Sequence, residues 1–161
     1  MDEKERSRIA ALTAYGQLDT PAEPELDELV RLAAAILQAP RALISLVDSD
    51  RCWFKAKFGV SEQELPRIGS FCTHAIRGPD VLVVPDTIAD RRFVDSPLVT
   101  TDPGIRFYAG APLRSRAGAR VGTMCVLDTE PRGGLKTFQT RYLATLAERA
   151  VDAFERRARR A

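Results

Sequence analysis

Apolar residues recur at helical spacing near both ends of the chain and alternate at strand spacing in between. From Asp2 to Tyr15, the residues Ile9, Leu12 and Tyr15 form a narrow stripe among charges, and Gly16 stands where a left-handed residue would stop a helix. A second helix is expected from near Thr20. Thr20 and Glu23 have capping-box spacing, Pro21 suits a first turn, and Leu26, Leu29, Val30, Ala33, Ile36 and Leu37 keep to one face up to Pro40. Arg41–Asp48 and Cys52–Phe58 then read as a hairpin across the polar turn Ser49, Asp50, Arg51. In its second strand Cys52, Phe54, Ala56 and Phe58 alternate with Trp53, Lys55 and Lys57, which predicts one buried and one partly wet face. A short strand, Val81–Val84, ends at Pro85. The stretch from Asp86 to Gly104 holds Pro97 and Pro103 and no sustained period. Long irregular connections of this kind are usually functional. Ile105–Arg114 and Arg120–Asp128 flank Ser115–Ala119 as a second hairpin. Last, Phe138, Tyr142, Leu146, Ala150 and Phe154 form an i+4 ridge beside Leu143, Ala147 and Val151, a broad apolar helix face. This order predicts an α+β fold: an antiparallel sheet with the terminal helices on one face and the long connection over the other.

Composition narrows the function classes. The 161 residues suit one domain spanning 1–161, and 45% apolar with 29% charged residues is the balance of an ordinary globular chain. The MDEKERSR start lacks the apolar core of a signal peptide, and no apolar run approaches the roughly 18 residues a membrane span needs. A cytoplasmic location with no membrane partner is expected. A net charge of +2 without a recognition motif argues against nucleic acid. Arg156, Arg157, Arg159 and Arg160 instead complement a helix C-terminus. Cys52, Cys72 and Cys125 form no CxxC pair, and with a single histidine they indicate buried free thiols rather than a disulfide framework or a metal site.

Strand parity supplies the candidate chemistry. Ile105, Phe107, Ala109, Ala111 and Leu113 share one face, expected against the helices, leaving Arg106 and Tyr108 towards the loop layer. Arg106 either pairs with Asp86, Asp90 or Asp95 or contacts a ligand; in both cases it holds the cover of a pocket. Ser45, Thr123 and Cys125 fall on the matching faces of their strands, as small core residues or as pocket wall. In Ser70–Ile76 (SFCTHAI), Cys72 and His74 are two positions apart and cannot form a nucleophile–base dyad on one helix; Cys125 would have to meet His74 across the cavity. His74 makes a fixed hydrogen bond in the loop layer or lines the pocket. Asp86, Asp90, Arg91, Arg92 and Phe93 are the expected lid. Trp53, on the wetter face, is a pocket wall, a dimer contact or a core residue.

The segments LDTPAEPELDELVRLAAAILQAPRALISLVDSDRCWFKAKFG, SFCTHAI, VVPDTIADRRFVDSPLV, IRFYAGAPL and GTMCVLD resemble, in order, the blocks of a bacterial GAF domain. The subtype resembled is found at the N-termini of diguanylate cyclases and sensor histidine kinases. The resemblance implies a GAF/PAS-like twisted antiparallel sheet, with N- and C-terminal helices on one face and a loop and short-helix layer over a ligand pocket on the other. Residues 1–16 would be the N-terminal helix and 135–161 a signalling helix leading towards an output domain. The implied function is a non-catalytic small-molecule sensor. It would be a homodimer joined through its terminal helices, with an unidentified effector as its ligand and a kinase or cyclase as possible partner. The pocket residues would be drawn from Ser45, Phe71, Cys72, His74, Asp86, Asp90, Phe93, Arg106, Tyr108, Thr123 and Cys125. Two alternatives stand beside it. One is a thiol-dependent free methionine-R-sulfoxide reductase, against which the spread of the cysteines along the chain is the argument. The other is a dimerisation module whose pocket is filled by its own side chains.

Overall fold

In the computed structural model, which describes residues 1–160, the chain forms helices on one side of a six-stranded antiparallel sheet and short elements on the other. Helix α1, Glu3–Tyr15, starts on Asp2, whose side chain accepts from Glu5 N, and stops at Gly16 with φ 64°. Helix α2 runs Pro24–Leu37, later than the capping-box spacing predicts. Pro24 rather than Pro21 takes the first turn, and Glu23 is the N-cap without a side-chain capping bond. Thr20 is diverted: its hydroxyl donates to Gln17 O and accepts from Lys55 Nζ. Within α2, Leu26, Leu29, Val30, Ala33 and Leu37 are buried, as their spacing requires.

The strands are β1 (Arg41–Val47), β2 (Arg51–Phe58), β3 (Glu64–Pro66), β4 (Leu82–Val84), β5 (Phe107–Arg114) and β6 (Arg120–Asp128), in the sheet order β3-β2-β1-β6-β5-β4. The long crossover is not wholly irregular, because it contains a 3-10 turn at Thr87–Ala89 and a one-turn helix. With helix α3 at Phe71–Ala75, that turn is α4 (Pro97–Thr100), and the terminal helix is α5 (Thr137–Arg160). No helix among the described residues is long and apolar enough to cross a membrane.

Two hydrophobic clusters share the sheet. On one face Ala42, Ile44, Leu46, Phe107, Ala109, Ala111, Leu113, Met124 and Val126 pack against α1, α2 and α5. On the other, Leu43, Val47, Cys52, Phe54, Tyr108, Cys125 and Leu127 meet Phe71, Cys72, Ala75, Ile76 and Phe93. Period-two alternation sorts most of these residues correctly. Ile105 is a correction: it precedes β5, its backbone N–H donates to Leu98 O, and it packs in the loop-side cluster.

The alternation in β2 is also corrected, with a clear cause. Register passes from Ile44↔Ala56 to Ser45↔Phe54, leaving Lys55 as the extra residue of a β-bulge. One extra residue flips every position beyond it. Cys52 and Phe54 therefore face the loop layer, whereas Ala56 joins Trp53 on the helix side. Trp53 is buried in that core rather than on a wet face or a pocket wall. Lys55 reaches under the start of α2, where Nζ lies 2.9 Å from Glu23 and donates to Thr20 Oγ1 and Pro21 O. In α5, Leu143, Leu146, Ala147, Ala150, Val151 and Phe154 are buried, but Phe138 at its start is exposed.

Candidate functional site

A cavity of about 610 Å³ opens between the loop-side face of the sheet and its cover. Leu43 of β1, Cys52 and Phe54 of β2, Tyr108 of β5 and Cys125 and Leu127 of β6 form its floor. The cover comes from two stretches, the β2–β3 connection running on into α3 and the α4 segment through Ile105. A volume of this size is in the usual range of small-molecule sites, and the walls are predominantly apolar. A broader cleft of about 920 Å³ runs beside α1, where Glu5 holds Arg8 and Arg67.

Four of the residues predicted from sequence line the cavity: Phe71, Cys72, Tyr108 and Cys125. Thr123 and Ser45 stand beneath them in the same polar group. Cys72 Sγ is 3.2 Å from Thr123 Oγ1, Tyr108 Oη donates to Cys72 Sγ at 3.7 Å, and Cys52 Sγ donates to Ser70 Oγ at 3.5 Å. Ser45 Oγ is buried without a hydrogen-bond partner. Cys52, Cys72 and Cys125 all line this cavity. Separation along the chain is thus no argument against a shared site, because Cys52 of β2, Cys72 of α3 and Cys125 of β6 line one cavity. The nearby Cys72 thiol, together with burial, pushes the Cys52 and Cys125 thiols up, while Cys125 and Cys52 nearby hold the Cys72 thiol below its usual range. Burial likewise pushes up the Tyr108 hydroxyl.

Tyr108 depends on a glycine two residues on. Its ring folds back along β5, and a Cβ on Gly110 would meet the Tyr108 hydroxyl oxygen at 2.1 Å. The ring also stacks on Phe71 with centroids 5.0 Å apart, and Phe71 in turn meets Phe93 at 4.9 Å. This aromatic column fixes α3 over the sheet.

His74, Asp86, Asp90, Phe93 and Arg106 lie outside the cavity walls. Phe93 supports Phe71 from behind. His74 packs its edge on Phe93 and shares a hydrogen bond between Nδ1 and Arg77 Nη1 at 3.3 Å. Burial, with Arg77 and Arg92 nearby, holds the imidazole below its usual range and therefore neutral at pH 7. It does not meet Cys125. Arg106 pairs with Asp86, Nη2 to Oδ1 at 3.1 Å, and so clips the start of the crossover to β5, while Asp90 pairs with Arg92 at 2.7 Å. The expected lid over 86–93 is corrected accordingly: the later half of the crossover, around α4, covers the cavity, because the earlier half is occupied with these ion pairs and with α3.

Sequence reasoning missed Arg41. It begins β1 on the same face as Leu43 and Ser45, lines the cavity, and has a buried Nη1 without a hydrogen-bond partner. Parity alone would have placed it there, two positions before Leu43. It also missed the 59–70 connection, whose Gly59 has φ 73° and would drive a Cβ to 2.1 Å from Pro40 O.

Comparison with known proteins agrees with this geometry. A family model described as GAF domain matches residues 21–155. The chain is 44% identical over 133 residues to a cyclic di-GMP phosphodiesterase of Pseudomonas aeruginosa, a match covering 83% of this chain and 23% of that protein. The chain thus spans about a quarter of that relative's length. In fold it is similar to the GAF domain of an Acinetobacter phosphoenolpyruvate-protein phosphotransferase, with TM-score 0.69 at 14% identity, covering 97% of this chain and 95% of the other. It is also similar to a type II free methionine-R-sulfoxide reductase from Thermoplasma acidophilum, with TM-score 0.65 at 12% identity and 96% of each chain covered. At such identities the two structures speak to fold alone. With the family model matching most of its length, an antiparallel sheet between terminal helices and a loop layer, and a cavity beneath that layer, the chain belongs to the GAF domain family of regulatory signalling domains.

Proposed function

We propose that this domain holds a small molecule in its loop-side cavity, performs no catalysis, and passes the state of that cavity to its terminal helices, which join two copies as a dimer. One observation carries the reading. A cavity large enough for a metabolite lies on the opposite face of the sheet from α1, α2 and α5. Single strands serve both faces: in β5, Tyr108 meets the cavity while Phe107 and Ala109 meet the helices. A guest that favours one closure of residues 59–70 and 97–105 biases the position of these strands, and with them the packing of α5. The similar P. aeruginosa protein is named a cyclic di-GMP phosphodiesterase. An output domain or a partner kinase or cyclase is the matching recipient here, in the cytoplasm.

Native mass spectrometry of gently purified protein tests the reading. The expected result is a species heavier than the chain by the mass of a small molecule that is released on denaturation. A bare chain mass, with no thermal shift across a panel of metabolites, favours a dimerisation module with a filled pocket instead.

The presence of Cys52, Cys72 and Cys125 in one cavity lining favours a second reading, a thiol-dependent reductase of free methionine-R-sulfoxide. Turnover of that sulfoxide with a dithiol reductant, abolished by Cys125→Ser, establishes it. We expect no turnover.

A further inference from the structure

Among the described residues, Arg41 is the one basic group of the cavity wall, and its buried Nη1 is unanswered by the protein. By contrast, Arg51, Arg67, Arg92 and Arg106 each hold a carboxylate. A buried guanidinium N–H without an acceptor is costly, and native structures rarely keep one without a role. The surroundings keep Arg41 in place. It pairs with Leu127 across β1–β6, and the Gly59 turn closes on its stem, where a Cβ would lie 3.4 Å from Arg41 Cγ.

We propose that Arg41 is the anchor of the ligand site and that the ligand is a small organic monocarboxylate with an apolar body. The inference rests on the small-molecule reading above and names its ligand class. The planar fork of a guanidinium matches a carboxylate, and a charge-assisted hydrogen bond in an apolar cavity both binds and orients. Leu43, Phe54, Val60, Leu65 and Leu98 then receive the apolar part. A doubly charged phosphate suits the cavity less well. Among the described residues Arg41 is the sole basic side chain in the wall, whereas Glu62 and Asp102 also line it and repel a dianion.

Calorimetric titration of the purified chain with octanoate, octan-1-ol and octyl phosphate tests this. Octanoate is expected to bind at least about tenfold more tightly than the alcohol. Arg41→Met should remove that advantage and bring the affinities for octanoate and octan-1-ol together. Equal affinities of acid and alcohol in the unaltered protein, which need no variant to measure, overturn the proposal and leave the cavity reading standing. So does tighter binding of octyl phosphate than of octanoate. No binding of any of the three at millimolar concentration overturns both.

Discussion

Gly122→Ala is expected to cost roughly 4 kcal/mol or more, enough to leave the chain largely unfolded or insoluble. Gly122 sits in the centre of the sheet, paired with Leu46 of β1 and Leu113 of β5. A Cβ there would lie 2.1 Å from the Ser45 carbonyl oxygen and 3.0 Å from Leu46 Cα. Both obstacles are backbone, so no side-chain rotation relieves the clash, and β1 and β6 must separate where they are most enclosed. Ser45 is also where the register of β1 on β2 slips, so the strand has little freedom to retreat. The matched control is Gly133→Ala, at a site where a Cβ meets nothing within 4 Å. It should change stability by less than about 0.5 kcal/mol. Urea unfolding of the two variants measures the difference, and similar midpoints would contradict the close approach.

Glu23→Ala is the second large effect, at roughly 3 kcal/mol, because it strands a charge. Lys55 is almost wholly buried, its side chain 1% exposed, with Nζ 2.9 Å from Glu23. Glu23 also holds Arg157 near the end of α5, so one carboxylate ties the bulge in β2, the start of α2 and the terminal helix together. Lys55→Met should be much milder, near 1 kcal/mol or less: it removes the buried charge itself and leaves Glu23 its bond to Arg157. Burial opposes ionisation of Glu23, but the bonds from Lys55 and Arg157 outweigh it and hold the carboxyl below its usual range. Its stabilising contribution is therefore complete above the unfolded value near 4.5 and is lost as pH falls through the lower folded value. Acid titration of stability should be correspondingly shallower in Glu23→Gln. If Glu23→Ala proved milder than Lys55→Met, this account of the pair would be wrong.

Much of this was legible in the chain. The spacing in α2 and α5 announced their buried faces, and parity in β5 sent Tyr108 and Phe107 to opposite sides. What stayed hidden has physical causes. The bulge at Lys55 leaves no compositional mark, since a bulged strand and a regular one have the same residues, and it moved Ala56 to the other face. Strand β3 is three residues with one half-buried side chain, too short to show a period. The three thiols share a site because α3, carrying Cys72, lies over the sheet face that holds Cys52 and Cys125, an adjacency that no local pattern encodes. The lid went to the wrong half of the crossover because the charges at 86–92 satisfy one another, while the plainer Pro97–Thr100 turn does the covering. Arg41 shares the parity of Leu43 and is legible from it, although Arg106 is the more conspicuous cation of the sequence.

The division of labour between the two sheet faces stands or falls with amide hydrogen exchange, followed by mass spectrometry. The comparison is between protein as first purified and the same protein after unfolding, dialysis and refolding, which strips any non-covalent guest. Faster exchange after refolding is expected in residues 59–70 and 97–105, accompanied by a smaller change in α5. Superimposable exchange in all three regions would contradict the account.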